Sequence, residues 1–159
     1  MSNLSEQELI RREKLKKIRE LGINPYPADL FKISINSKQI KADFKDGKQV
    51  VVAGRLMSRR IQGNASFAEL QDSSGRIQVY FNRDEICKDE DKSKYNEFYK
   101  KLLDIGDIIG IEGELFKTKV GEKTILVKDF KLLSKSLKPL PLPKTILKVI
   151  FMMNLVLQS

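Results

Sequence analysis

The chain contains no histidine and a single cysteine, Cys87. These two shortages remove much of enzymatic chemistry. Without His there is no Ser-His-Asp triad and no Cys-His pair, and the usual zinc ligand sets cannot be assembled. A lone Cys forms no disulfide within the chain, which fits a reducing compartment and an expected cytoplasmic location. The opening residues, Met1-Ser2-Asn3-Leu4-Ser5-Glu6, lack both the basic start and the apolar run of a secretory signal. No Gly-rich stretch fits a phosphate loop. Gly47-Lys48 lacks the preceding Gly spacing, and neither Ser nor Thr follows it.

Positive charge is in surplus. Thirty Lys and Arg against 21 Asp and Glu give a net charge of +9 on 159 residues. The sequence pI is about 9.6. A basic balance of this size favours a polyanionic partner, with nucleic acid ahead of an anionic membrane surface. The length accommodates one domain with appendages and a sizeable core.

The first segment reads as a helix. Ser5 and Glu8 have the spacing of a capping box, and Leu4 is placed to staple onto Leu9. Ile10, Leu15, Ile18 and Leu21 form a narrow apolar stripe. Gly22 ends the helix, and Asn24-Pro25-Tyr26-Pro27 forbids its continuation. Arg12, Lys16 and Arg19 recur at i, i+4 and i+7, so they share one face, either merely solvated or able to track phosphates. Short helical turns are expected around Asp29-Leu30-Phe31 and from Ser37 to Phe44.

Five strands follow. Gln49 to Arg60 carries a Val run, then Gly54, then alternation. Ser66 to Asp72 and Arg76 to Phe81 alternate strictly on either side of Asp72-Ser73-Ser74-Gly75, a hairpin turn. Asp107 to Lys117 and Thr124 to Leu133 complete the set, joined by Val120-Gly121-Glu122-Lys123. Between the third and fourth strands, Lys92 to Leu103 reads as a helix with Tyr95, Phe98, Tyr99 and Leu102 on its core side.

Parity on the hairpin carries the functional signal. Ala68, Leu70, Ile77, Val79 and Phe81 share one apolar face. Phe67, Glu69, Gln71, Arg76, Gln78 and Tyr80 share the other. If Gln71 pairs with Arg76, then Glu69 faces Gln78 and Phe67 faces Tyr80. Phe67 and Gln78 are then diagonal neighbours within reach of one planar ligand. An outward Phe beside an amide suits a nucleobase: the ring stacks and the amide reads an edge.

Three strands, a helix and two strands form the order of an OB-fold, a mainly β, five-stranded barrel (β-β-β-α-β-β), here preceded by a basic helix. That fold uses its second and third strands to hold oligonucleotides. Gly54 is expected to permit the bend of a first strand shared by both halves of the barrel. The expected organisation is an N-terminal helix and connection over 1–48, the barrel over 49–134, a Pro-rich linker over 135–143 and a hydrophobic tail over 144–159.

Many segments, in order, resemble one family. They include Val52-Ala53-Gly54-Arg55-Leu56-Met57-Ser58-Arg59-Arg60, Gly63-Asn64-Ala65-Ser66-Phe67, Leu70-Gln71-Asp72, Gly75-Arg76-Ile77-Gln78, Leu103-Asp104-Ile105-Gly106-Asp107 and Gly121-Glu122. They are similar to the anticodon-binding domain of class II lysyl-tRNA synthetases, and the likeness runs from about residue 4 to residue 143. It implies a tRNA partner with a uridine-rich, lysine-accepting anticodon. By position it implies that Phe67 stacks on the central uridine, that Arg60 and Gln78 bond its edge, and that Glu122 accepts a bond from a neighbouring base. Arg12, Lys16, Arg19 and Arg76 are the expected contacts to the RNA backbone. No metal site or catalytic residue is expected.

The likeness stops after Pro143, where the family runs into its catalytic domain. Lys144 to Ser159 contains no acid and is almost continuously apolar, yet it is too short and interrupted to span a membrane. The signature segments that hold ATP and lysine are not found, so this chain alone is expected not to aminoacylate. ATP and Mg2+ would belong to the missing catalytic domain. The fragment is expected to be monomeric and its full-length relatives homodimeric. Two alternatives remain: a general single-strand binder of the OB type, and a complete lysine–tRNA ligase of which only the first portion is seen.

The tail is expected to be an aberrant ending that adds an aggregation hazard to a barrel already complete. A chain ending at Pro143 should therefore melt no lower than the full chain, remain soluble at higher concentration and bind RNA equally well. Unfolding of that shorter chain in a thermal melt would show that the tail is part of the domain.

Overall fold

Alternation along the five strands has one efficient outcome: every apolar face turned to a common centre. In the computed structural model, which describes residues 5–26 and 31–137, the strands close into a barrel. They are β1 (Gln49–Gln62), β2 (Ala65–Asp72), β3 (Gly75–Asn82), β4 (Ile108–Lys117) and β5 (Lys123–Ser134). Around the barrel the order is β1-β2-β3-β5-β4. Helices α1 (Glu6–Glu20), α2 (Ser37–Ala42), α3 (Arg83–Ile86) and α4 (Lys94–Leu102) flank it. The expected mainly β OB architecture is thus present. The staple residue Leu4, the turn proposed at residues 29–30 and the tail over 144–159 lie outside the described residues.

β1 is long enough to serve both halves of the barrel. It pairs with β4 from Gln49 to Arg55 and with β2 from Arg55 to Gln62. The expected role of Gly54 needs refinement. A Cβ there would lie 2.6 Å from the carbonyl oxygen of Gln71 and 3.0 Å from Cγ of Leu70, so Gly54 admits a close approach of β2. The register irregularity falls three residues later, between Leu56 and Ser58, where a bulge bends the strand. Closure comes from a short parallel pairing in which Gln78, Val79 and Tyr80 match Thr124, Ile125 and Leu126.

α4 plugs one side of the barrel. Tyr95, Phe98, Tyr99 and Leu102 are all buried, as their spacing predicts. Its coil is wider than that of an α-helix: Leu103 N–H reaches the carbonyl of Phe98, five residues back, at 3.1 Å. The ring of Tyr99 stacks on Phe81 with centroids 4.1 Å apart, and its hydroxyl meets that of Ser66 at 2.8 Å. Burial pushes the Tyr99 phenol well above its usual range.

α1 is held differently from the apolar stripe expected of it. Ser5 does cap the helix, accepting from Glu8 N–H at 3.2 Å. Leu15 and Ile18 are buried, but Ile10 and Leu21 remain 41% and 60% exposed. The third buried position is Arg11, which donates to the carbonyl and hydroxyl of Ser136, each at 3.3 Å. Lys14 adds an ion pair to Asp104 at 2.6 Å. The helix thus docks through polar anchors at one end of β5.

Those anchors converge on Lys135. Its ammonium, with no exposed side-chain surface, contacts Asp104 at 2.6 Å and Asp107 at 2.7 Å. It also donates to the carbonyl of Leu102 at 3.1 Å. Burial pushes the Asp107 carboxyl above the usual range against the pull of Lys135. Asp104 is also penalised by burial, yet bonds from Lys135 and Lys14 hold it below that range. Removing the shared cation would leave two carboxylates facing each other. Lys135→Met is therefore expected to cost about 3–5 kcal/mol, read as a lowered midpoint in urea. A shift within error would show that the cluster contributes nothing.

Candidate nucleic-acid interface

The β2–β3 register is the one that parity predicts. Gln71 pairs with Arg76, Glu69 with Gln78 and Phe67 with Tyr80. The turn is clamped by the Asp72 carboxylate, which accepts from Ser74 N–H at 2.8 Å and Gly75 N–H at 3.0 Å. Its other oxygen accepts from Ser37 N–H at 2.8 Å, tying the start of α2 to the hairpin. Ala68, Leu70, Ile77, Val79 and Phe81 are buried. A pleated strand whose alternate residues are fixed inward must present the others outward.

The outward set forms an aromatic row. Phe67 and Tyr80 have ring centroids 4.9 Å apart and planes tilted by 43°. Tyr80 continues to Phe116 on β4, edge-on at 6.1 Å. Both Phe67 and Tyr80 are half-buried. Phe116 was not foreseen as a member of this face. Its outward parity is readable, but its proximity depends on barrel closure, which brings β4 beside β5 and β5 beside β3.

Polar groups border the row. Arg60 is the cross-strand partner of Phe67, and its guanidinium carbon lies 5.9 Å from that ring's centroid. The adjacent Arg59 points the other way. It donates to the carbonyls of Tyr99 and Leu103 at the end of α4, which leaves Arg60 as the exposed cation of the pair. Gln78 donates from Nε2 to the Thr124 hydroxyl at 3.3 Å. That hydroxyl in turn donates to the carbonyl of Glu122 at 3.0 Å. The relay fixes the Gln78 amide and leaves its oxygen and second N–H for another partner. The Glu122 side chain is exposed in the β4–β5 turn, where its backbone N–H bonds the Thr118 hydroxyl at 3.1 Å.

The expected backbone contacts divide into two kinds. Arg12, Lys16 and Arg19 stand exposed on α1 and line one shallow surface with Leu15 and Glu20. Arg76 is already engaged: its Nε donates to Gln71 at 2.8 Å and its Nη1 lies 3.4 Å from a Glu69 oxygen. An ion pair this exposed is worth little and exchanges readily for another anion. Among the described residues there is no group of His, Cys, Asp and Glu that could hold a metal ion. No helix there is long and apolar enough to cross a membrane.

A closed five-stranded barrel of this order, with an aromatic face on β2 and β3, defines an OB-fold nucleic-acid-binding domain. The family model for the tRNA anti-codon type, described as an OB-fold nucleic acid binding domain, matches residues 50–133. The chain belongs to that family. Among curated proteins it is 75% identical over 145 residues to the lysine–tRNA ligase of Christiangramia forsetii, covering 91% of this chain and 26% of that one. It is 49% identical to the lysine–tRNA ligase of Porphyromonas gingivalis, covering 89% and 25%. With that of Thermoanaerobacter pseudethanolicus the identity is 52%, covering 87% and 27%. The chain thus spans about a quarter of the length of the curated relatives it matches.

Substitution on the two faces of β2–β3 should separate binding from folding. Phe67→Ala is expected to cost only about 0.5–1.5 kcal/mol, the value of one aromatic pair. Phe81→Ala, on the core-facing side of the same hairpin, should cost about 3–5 kcal/mol. Equilibrium unfolding of both variants checks the assignment, and comparable losses would place Phe67 in the core.

Proposed function

We propose that this chain is the tRNA anticodon-binding module of a lysine–tRNA ligase and recognises a uridine-rich anticodon in the cytoplasm. The observation that carries this reading is the grouping of Phe67, Arg60 and Gln78 on one outward face of an OB barrel, in a chain so similar to lysine–tRNA ligases. Aminoacylation itself, with its ATP and Mg2+, is assigned to the part of those ligases that this chain does not match.

The chemistry suits uracil. The base offers two carbonyl acceptors and one N–H donor. With one face on Phe67, its edge can accept from Arg60 and exchange bonds with the Gln78 amide, whose orientation the Thr124 relay holds. Glu122 supplies an acceptor for a neighbouring base. A purine in the same place would misfit in size and edge pattern. A stacked base contributes roughly 1–3 kcal/mol, and a good hydrogen bond to a charged group about 1.5–3 kcal/mol. Arg12, Lys16, Arg19 and Arg76 then track phosphates without reading sequence.

The aromatic row Phe67–Tyr80–Phe116 favours a second reading, a sequence-tolerant single-strand binder. The two readings separate in one titration series. Phe67→Ala should weaken binding to a UUU-containing anticodon stem-loop by roughly 1–3 kcal/mol. Gln78→Ala or Arg60→Ala should erode the preference for a central uridine over cytidine. Replacing Arg12, Lys16 and Arg19 should lower affinity for all loops alike. Equal affinity of the native chain for uridine- and cytidine-centred loops would favour the general binder and overturn the anticodon assignment.

A further inference from the structure

Alternation and pairing bring one aromatic of β4 onto the same face as Phe67 and Gln78. Leu115 is buried in the core, so Phe116, the next residue on the strand, points outward. Phe116 is the cross-strand partner of Thr124 on β5. Thr124 is in turn the partner of Gln78 on β3, and the two side chains are bonded at 3.3 Å. Residues paired across neighbouring strands share a face. Phe116, Thr124, Gln78 and Tyr80 therefore stand on one side of the sheet. The ring contact agrees, since Phe116 meets Tyr80 edge-on with centroids 6.1 Å apart.

Folding gives little reason for a phenyl ring at this position. Phe44 and Ile61 are half-buried as Phe116 is, and they pack against the main core. Among the described residues, Phe116 is not one of the half-buried side chains that do so. Its ring contact is with Tyr80, whose other neighbour in the row is Phe67 at 4.9 Å. Phe67 and Phe116 are thus the two end rings, with Tyr80 between them. A base stacked on Phe67 leaves Phe116 to a flanking nucleotide. Sheets that bind single-stranded RNA can stack two or three bases on separate aromatics. The register also gives each end ring a polar companion in the same relative place. Gln78 lies two residues before Tyr80, the partner of Phe67. Glu122 lies two residues before Thr124, the partner of Phe116.

We propose that Phe116 is a second stacking platform, which holds the base of a nucleotide flanking the one on Phe67. The inference rests on the RNA-binding reading above and extends it from one base to two adjacent ones. Stacking on Phe116 adds affinity without choosing a base, because every base has a π-face. With both end rings occupied, the spacing of the row sets how far apart the two bases of the loop are splayed.

The test uses the full chain and four anticodon stem-loops: one intact, and three that are abasic at the central, the 5′-flanking or the 3′-flanking anticodon nucleotide. Phe116→Ala should weaken binding to the intact loop roughly tenfold. Phe116→Tyr should keep the native affinity, whereas Phe116→Leu, apolar but without a π-face, should not. The loss caused by Phe116→Ala should disappear with one of the two flanking abasic loops and persist with the central one. Phe67→Ala should behave conversely, its loss disappearing with the central abasic loop. Thermal melts should show Phe116→Leu folded like the native chain, so that its weaker binding reports lost stacking. Native affinity of Phe116→Leu would overturn the inference. So would a Phe116→Ala loss that persists with both flanking abasic loops, or that vanishes with the central one. If Phe67→Ala weakens binding to the intact loop while Phe116→Ala does not, this inference alone fails. If neither does, the anticodon reading fails with it.

Discussion

The structure turns on the pleat of β2 and β3. Leu70, Ile77, Val79 and Phe81 are needed inside the barrel, where each is all but inaccessible. Because side chains alternate at a period of two, that requirement commits Phe67, Gln78 and Tyr80 to the outside. The proposed binding face is thus a by-product of core formation. A slip of one residue in the hairpin would bury Phe67 and Gln78 and expose the core, so the fold and the proposed recognition face are set by the same register. The Asp72 clamp on the turn, which also grips the start of α2, protects that register.

Closure of the barrel then supplies what one hairpin cannot. The short parallel pairing of β3 with β5 sets Thr124 beside Gln78. It also brings the β4–β5 turn, with Glu122, near the aromatic row. The face therefore gathers residues that lie far apart in the chain, from Arg60 on β1 to Glu122 in the last turn. At the opposite end, the Lys135 cluster gathers α1, the end of α4 and the close of β5. That arrangement explains how a helix with so little apolar surface stays attached to the barrel.

Local pattern made much of this legible. The five strands, the core side of α4 and the hairpin register all follow from alternation and turn residues, because both sides of the hairpin are close in sequence. Features that depend on closure were not legible. Phe116 joins the aromatic row only once β4 and β5 are in place. The difference between Arg59 and Arg60 could not be read from two adjacent basic residues, though strand parity gives each a separate face, one capping α4 and one beside Phe67. Gly54 signals a special backbone position, but its role as a passage for Gln71 emerges only when β2 crosses it. The stripe on α1 misled because buried Arg11 takes a place that an apolar pattern reserves for hydrocarbon.

The proposed function stands or falls on whether RNA meets the outward face of β2–β3. Amide chemical-shift mapping during titration with a uridine-centred anticodon stem-loop tests it most directly. Saturable shifts are expected at Arg60, Phe67, Gln78, Tyr80 and Phe116, extending to Glu122. Shifts confined to α4 and the far ends of β1 and β5, with Phe67 and Gln78 unmoved, would contradict it.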